Sequence, residues 1–485
     1  MAEKIIRDPV HDIIAFRLER PVDALLFKLI NAGEFQRLRR IRQLGMASLA
    51  YPGADHSRYS HCLGVMETAR QMLHHLDLTT KIAEPDLTAC LAAALLHDLG
   101  HGPLSHVFEE ISHVNHEDQT ASIIQNPQSE VHRILSEHDR ALPEMVAQFL
   151  AGKSNRRFFS DILSSQLDAD RFDYLLRDNL MTGSHYGAFD LSWLLHALVV
   201  DDSSSRLAVT AKGLSAVEAY LQSRYHMYRN VYFHKVVRTG EGMLKLALRR
   251  ARRLAEQDRL SALSRADATF KAMVGGQFTL AQFTDLDDIS VMHCLKLWIT
   301  ADDPILASLS HGLLYRNLYK TIDLTSVDDP AKLRSAIDRA AHAVTAAGGD
   351  PNYHLFYDEP RDTPYEIYDG QNPASDIPIQ THDGRLASFA ALSPLTPALS
   401  RQLMFRRLHV APEYRAAVES AVSKSPNLGA QRDYATRPNL PTKKDLPAPR
   451  PIMHVMLSKA NPKKPNRKKP RRNARKLTDG VPKKS

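Results

Sequence analysis

Apolar residues in the first half of the chain recur close to helical spacing. In FKLINAGEFQRLRRIRQLG (27–45), Phe27, Ile30, Phe35, Leu38, Ile41 and Leu44 share one face of a predicted helix. In LTACLAAALLHDL, Pro85 and Asp86 mark a helix start and Gly100 its end. That segment is apolar nearly all round, which predicts a buried helix at the centre of a bundle. Further helices are expected at 62–76, 161–179, 189–200, 213–230 and 240–257. Near residue 300 the pattern changes. Short β-like runs (TIDLTS, YHLFYDE, EIYDG, IPIQTH) alternate with Pro, Gly and Asp turns around an Ala-rich helix at 331–348. From 426 onward Pro, Lys, Arg and Asn replace large apolar residues, a composition that predicts disorder. The pattern therefore predicts a mainly α protein without internal repeats. A helical core spans 1–260, a smaller α+β region packed on it spans 261–425, and a disordered Pro/Lys/Arg-rich tail spans 426–485.

Composition narrows this picture. A chain of 485 residues that is 43% hydrophobic and 24% charged suits a soluble globular protein. The N-terminal MAEKIIRDPVHDII has no signal-peptide apolar run, and ACLAAALL is too short to span a bilayer, so a cytoplasmic location is expected. Three cysteines, Cys62, Cys90 and Cys294, form no CxxC pair. A disulfide framework and a thiolate zinc site are thereby excluded, and any metal is left to His and carboxylates. The net charge of +8 is local: Lys459–Ser485 carries +11, so the remaining residues carry about −3. PKKPNRKKPRRNARK (462–476) holds no aromatic residue on which bases could stack. It reads as a solubilising tail, as an electrostatic contact to nucleic acid or a membrane surface, or as a localisation element.

LLHDLGHGPLSH (95–106) carries the candidate chemistry. Five histidines fall between His97 and His116: these two, His101, His106 and His113. His97 and Asp98 are adjacent, so they share an ion only if the helix end turns both inward, and Gly100 helps to end the helix there. Imidazole plus carboxylate suits Mn, Fe, Zn, Ni or Mg. Alone, such a dipeptide is more often a hydrogen-bonded pair in a core. Two other stretches supply partners. HSRYSHCLG (56–64) puts His61 at the start of an amphipathic helix, and SSQLDADRFDYLLRD (164–178) sets Asp168, Asp170, Asp173 and Asp178 among Leu167, Phe172, Leu175 and Leu176. The second stretch reads either as a site or as a solvated face.

The ordered series DPVHDII, FQRLRRIRQLG, YPGADHSRYSHCLGV, LLHDLGHGPLSHVFE, HE (116–117), LDADRFDYLLRD and YFHKV resembles the dNTP triphosphohydrolase branch of the HD-domain phosphohydrolases. That branch includes bacterial dGTPase-like enzymes and SAM-and-HD-domain dNTPases. The resemblance covers about residues 5–425, weakens after 260, and leads us to expect no SAM domain ahead of the HD-domain helical bundle. It implies that His61, His97, Asp98 and Asp170 hold one divalent ion per active site, and leaves open a second Mg with the substrate. It places His101, His106 and His116 at the phosphates as proton-handling groups, with Glu109 orienting His106; His113 has no counterpart and reads as a surface residue. Arg58, Arg171, Arg224 and Lys235 are implied to hold the triphosphate. Tyr174 and Asp178 would read the 3′-hydroxyl, and Gln43 and Leu44 lie beneath the sugar where a 2′-hydroxyl would be crowded. Tyr232 is placed near the nucleotide, or else in the core. Gln36 and Arg39 match an allosteric nucleotide site, but Asn31 stands where guanine-regulated members have an aspartate. That site is therefore expected to take another nucleotide, or none. Assembly as a dimer, tetramer or hexamer is implied. The function expected is metal-dependent hydrolysis of dNTPs to deoxynucleoside and triphosphate. The alternatives are an HD-type phosphomonoesterase or phosphodiesterase on other nucleotides, and a non-catalytic nucleotide-sensing or nucleic-acid-binding protein.

Overall fold

Pro85 and the acidic Glu84 and Asp86 open a helix, Glu84–Leu96, whose residues from Thr88 to Leu96 are all buried. A computed structural model of the protein describes residues 3–77, 81–260, 278–367 and 376–423; the side chain of His106 and the basic tail expected from 426 lie outside the described residues. Met1–Leu428 form one compact unit. It opens with strands β1 (Glu3–Asp8) and β2 (Asp12–Arg17), a hairpin in which Glu3 faces Arg17. Helices α1 (Pro21–Asn31), α2 (Arg58–Asp77), α3 (Glu84–Leu96), α4 (His106–Ser112), α5 (His116–Gln125), α6 (Ala169–Thr182), α7 (Leu214–Met227) and α8 (Lys235–Glu256) bear most of the site. Shorter helices, Glu130–His138 and Leu142–Leu150 among them, pack around α1 and α3.

The mainly α reading holds, and its departures have local causes. The helix expected over 27–45 is broken. Ala32 takes an extended conformation, φ −62° and ψ 142°, between α1 and the single turn Gly33–Gln36. The buried Arg37 then donates to the Leu286 carbonyl at 2.9 Å and the His101 carbonyl at 2.7 Å, drawing this segment onto the site loop. The helix expected over 161–179 is two helices, Arg157–Leu163 and α6. Asp168 divides them, its carboxylate accepting from the backbone N–H groups of Ser165 at 2.9 Å and Arg171 at 2.8 Å as an N-cap. Over 189–200 the helix stops at His196, and Leu198–Val200 pairs as a strand with Leu207–Thr210.

In the C-terminal region Lys320–Asp323, Arg407–Val410 and Leu355–Asp358 form an antiparallel sheet in that order, backed by the helices Pro330–Ala346 and Arg415–Ser423. Pro378–Gln380 pairs in parallel with Leu207–Thr210, tying this region to the helical part. Three of the four expected β-like runs thus contribute strands. In the fourth, EIYDG, Glu366 and Ile367 are outside any strand and 368–370 lie outside the described residues. No helix among the described residues is long and apolar enough to cross a membrane.

Candidate active site

The end of α3 turns inward as the adjacency of His97 and Asp98 requires. His97 caps the helix with its Nδ1 2.9 Å from the Ala94 carbonyl, which leaves Nε2 facing away from the helix. Opposite it stands Asp170, in the first turn of α6, with Oδ1 3.6 Å from His97 Nε2 and 2.9 Å from His61 Nε2 on α2. Asp98 completes the ring, with Oδ1 3.4 Å from His97 Nε2 and Oδ2 3.9 Å from His61 Nε2. One atom each from His61, His97 and Asp170 lies within 4.8 Å of the others. His61 Nε2 and His97 Nε2 are sealed from solvent, yet neither makes a well-formed hydrogen bond. Two such nitrogens and two carboxylates converging from three helices fit a divalent cation. All three cysteines are free and buried.

Two glycines allow this convergence. A Cβ on Gly64 of α2 would lie 1.9 Å from Asp173 Oδ1 and 2.4 Å from Arg177 Nη2, so only glycine lets α2 meet α6 here. A Cβ on Gly100 would lie 2.1 Å from the His116 carbonyl oxygen. That close packing brings α5 against the loop and stacks the His116 ring on His101 at 3.9 Å between centroids. Asp98, His101 and His116 are a second close group of metal-binding type.

Electrostatics sort these groups. Burial alone would lower the His61 imidazole, but the carboxylates of Asp170 and Asp173 on either side push it up to about 10, the mark of a spot that favours a cation. Burial would raise Asp98, yet Arg58, bonded to its Oδ2, together with His97 and His101 hold it well below the usual range. Burial, with the Arg58 charge, holds His101 down at about 3, so it is neutral at physiological pH. Glu109, expected to orient His106, accepts from His116 through both Nδ1 and the backbone N–H, the latter at 3.1 Å. His113 is exposed, as expected.

A cavity of about 410 Å³ opens beside the cluster. Asp98, Asp170, His101, His116 and Arg58 line it together with Gln43, Leu44, Tyr174, Asp178 and Tyr232. Asp178 is fixed between two elements, accepting from His56 Nε2 at 2.7 Å and from the Tyr232 hydroxyl at 2.8 Å. Of the four basic residues expected at the triphosphate, Arg58 alone is on this wall. Arg171 pairs with Asp168 at 3.3 Å, and Arg224 donates to the Pro364 carbonyl at 3.0 Å and to Asp362 at 3.2 Å. Lys235 is exposed at the start of α8. Of the three residues expected at an allosteric site, Asn31 is exposed with its amide on the Phe27 carbonyl. Gln36 accepts from Arg39 at 2.8 Å, and the Arg39 guanidinium lies 3.6 Å over the Tyr59 ring.

Several residues here escaped the sequence reading. Arg238 and Glu241 line the cavity and pair with each other at 2.7 Å. Asp173 was visible only as one carboxylate of four, but its Oδ2 lies 2.8 Å from His61 Nδ1. His11, within DPVHDII, and Arg177 converge on that same carboxylate, and Asp8 of the same motif accepts from the other side of Arg177.

Comparison with known proteins agrees with this geometry. Residues 58–178 match the HD domain family and 189–274 the HD associated region. The uncharacterized protein YwfO of Bacillus subtilis is 36% identical over 401 residues, which cover 82% of this chain and 89% of that one. The deoxynucleoside triphosphate triphosphohydrolase SAMHD1 of Homo sapiens is 28% identical over 271 residues, 48% of this chain and 42% of that protein. The crystal structure of a phosphohydrolase from Bacteroides thetaiotaomicron superposes with a TM-score of 0.72 at 28% identity, covering 84% of this chain and 100% of that one. This chain belongs to the HD-domain dNTPase-like family of phosphohydrolases.

Proposed function

We propose that this protein is a cytoplasmic, homo-oligomeric enzyme that hydrolyses dNTPs to deoxynucleoside and triphosphate. One observation carries the reading: a single cavity is walled by the His–Asp cluster and by Asp178, Tyr174, Gln43 and Leu44. A phosphate-reacting centre and a sugar-reading pair within one substrate's length suit a nucleotide cleaved at its α-phosphorus. Held by His61, His97, Asp98 and Asp170, a divalent ion (Mn, Fe, Zn, Ni or Mg) supplies Lewis-acid polarisation of the α-phosphate and an acidified water. The chain's own groups do the rest. Water adds to the α-phosphorus, the bond from phosphorus to the 5′-oxygen breaks, and the deoxynucleoside leaves with that oxygen. The stacked His101 and His116 handle the two protons this requires; Glu109 on His116 Nδ1 leaves Nε2 as the working atom. Arg58 balances phosphate charge from the cavity wall. The carboxylate of Asp178 accepts the 3′-hydroxyl, while Gln43 and Leu44 floor the sugar against a 2′-hydroxyl.

Incubation with each dNTP and its ribonucleotide, with Mn²⁺ or Mg²⁺ and with or without GTP, followed by separation of products, tests this. Tripolyphosphate and deoxynucleoside are expected. Pyrophosphate or single phosphate would overturn the reading. The positions of Arg171, Arg224 and Lys235 away from the cavity wall favour a second reading, a phosphomonoesterase or phosphodiesterase on other, less highly charged nucleotides. Activity confined to monophosphates or cyclic dinucleotides identifies it.

A further inference from the structure

His61 is held from behind by a chain of buried groups that reaches the N-terminal hairpin. Asp173, on α6 one turn after Asp170, is fully buried, as are Arg177 and His61. Its carboxylate accepts four hydrogen bonds: from His61 Nδ1 at 2.8 Å, His11 Nε2 at 2.8 Å, and Arg177 Nε at 2.8 Å and Nη2 at 2.9 Å. Arg177 in turn donates to Asp8 at 2.8 and 3.1 Å. Asp8 also accepts the backbone N–H groups of Val10 at 2.9 Å and His11 at 3.0 Å, which closes the hairpin turn. Nearly the whole acceptor capacity of Asp173 is thereby used, and none of it faces solvent.

We propose that Asp173 is a positioning residue for the metal centre and that the hairpin, through His11 and the Asp8–Arg177 pair, holds it in place. The chemistry is that of tautomers. A carboxylate gripped by a guanidinium accepts and does not donate, so His61 keeps its hydrogen on Nδ1 and its Nε2 lone pair is the atom left for a metal. Asp173 also fixes the ring's rotation. Were the hairpin undocked, Asp173 would lose one of its four donors and Arg177 one of its two carboxylate partners, and the His61 ring would be held less firmly. Metal affinity is thus coupled to a segment that supplies no ligand and lies about fifty residues earlier in the chain.

Calorimetric titration of the full-length, chelator-stripped protein with Mn²⁺ tests this, with circular dichroism verifying the fold of each variant. Asp173→Asn is expected to weaken Mn²⁺ binding about 10- to 100-fold, the range seen when outer partners of metal-bound histidines are removed. His11→Ala is expected to weaken it less, and His11→Gln, whose amide still donates to Asp173, to restore it. Arg70→Gln removes a 2.9 Å bond to the Ala15 carbonyl of the same hairpin without touching Asp173, and is expected to bind as wild type does. Wild-type affinity in folded Asp173→Asn, equal affinities in the two His11 variants, or an equal loss in Arg70→Gln would each overturn the inference. If Asp173→Asn fails to fold, the His11 pair decides alone. The inference rests on the metal reading of the site, not on the nucleotide. A wild-type protein that binds no Mn²⁺ overturns that reading, whereas tight binding untouched by the variants overturns the inference alone.

Discussion

In a solvent-facing helix, replacing glycine by alanine stabilises by about 1 kcal/mol, because alanine has less chain entropy to lose. At Gly64 the opposite sign is expected. The new methyl group would sit 1.9 Å from Asp173 Oδ1 and 2.4 Å from Arg177 Nη2, well inside contact distance. Neither atom is the loose end of a surface side chain: both belong to fully buried residues locked by hydrogen bonds. Either α2 and α6 move apart or the Asp173–Arg177 pair breaks. Overpacking a core costs about 1–3 kcal/mol, and leaving a buried charge unpaired costs about 3–5 kcal/mol. After the propensity gain is subtracted, Gly64→Ala is expected to destabilise by about 0–2 kcal/mol if the helices part and by about 2–4 kcal/mol if the pair breaks. Thermal unfolding followed by circular dichroism should show this as a midpoint lower by roughly 1–5 °C, about 1 °C per kcal/mol for a unit as long as Met1–Leu428. Mn²⁺ binding should weaken in parallel, since His61 loses its support. Gly33→Ala, whose nearest neighbour would be Glu130 Oε2 at 3.5 Å, is the matched control and is expected to leave both readouts near wild type. A Gly64→Ala protein that melts at or above the wild-type temperature would refute the close-approach argument.

His97→Ala removes one of the two imidazoles facing Asp170 and should lower hydrolysis by about 100-fold or more with the fold intact by circular dichroism, since even indirect partners of metal ligands reach that size. EDTA should abolish activity and added Mn²⁺ restore it; turnover that survives chelation would contradict the metal reading. Leu44→Ala opens the cavity floor, so the ratio of ribonucleotide to deoxyribonucleotide turnover should rise, measured by product release from GTP and dGTP. His409 in the Arg407–Val410 strand is buried against Phe356 with Nδ1 2.8 Å from the Thr239 hydroxyl, and burial holds its imidazole down at about 4. The folded form therefore binds fewer protons than the unfolded one, whose histidine titrates near 6.5. Stability is complete above about pH 6.5 and falls as pH drops toward 4, by about 3 kcal/mol from this group. Urea midpoints across that window, compared with His409→Gln, should show the variant's slope flattened.

Much of this protein was legible in the order of its residues. The Glu84–Leu96 helix, its inward-turning end and the helical segments bearing His61 and Asp170 follow from apolar spacing, Pro85 and Gly100. Periodicity reports which face of a segment is buried, and side-chain chemistry reports what that face can bind. Neither states which distant residue arrives opposite. The pairing of Glu109 with His116 and the four donors converging on Asp173 were set by packing, as was the turn of Arg224 toward Pro364 and Asp362. So were the breaks at Ala32 and Asp168, where a buried guanidinium and a capping carboxylate prevailed over helical rhythm. The N-terminal hairpin shows the division most clearly. DPVHDII could be seen as a motif, but only folding places Asp8 and His11 behind His61, because a hydrogen-bond network spanning more than 160 positions has no period along the chain.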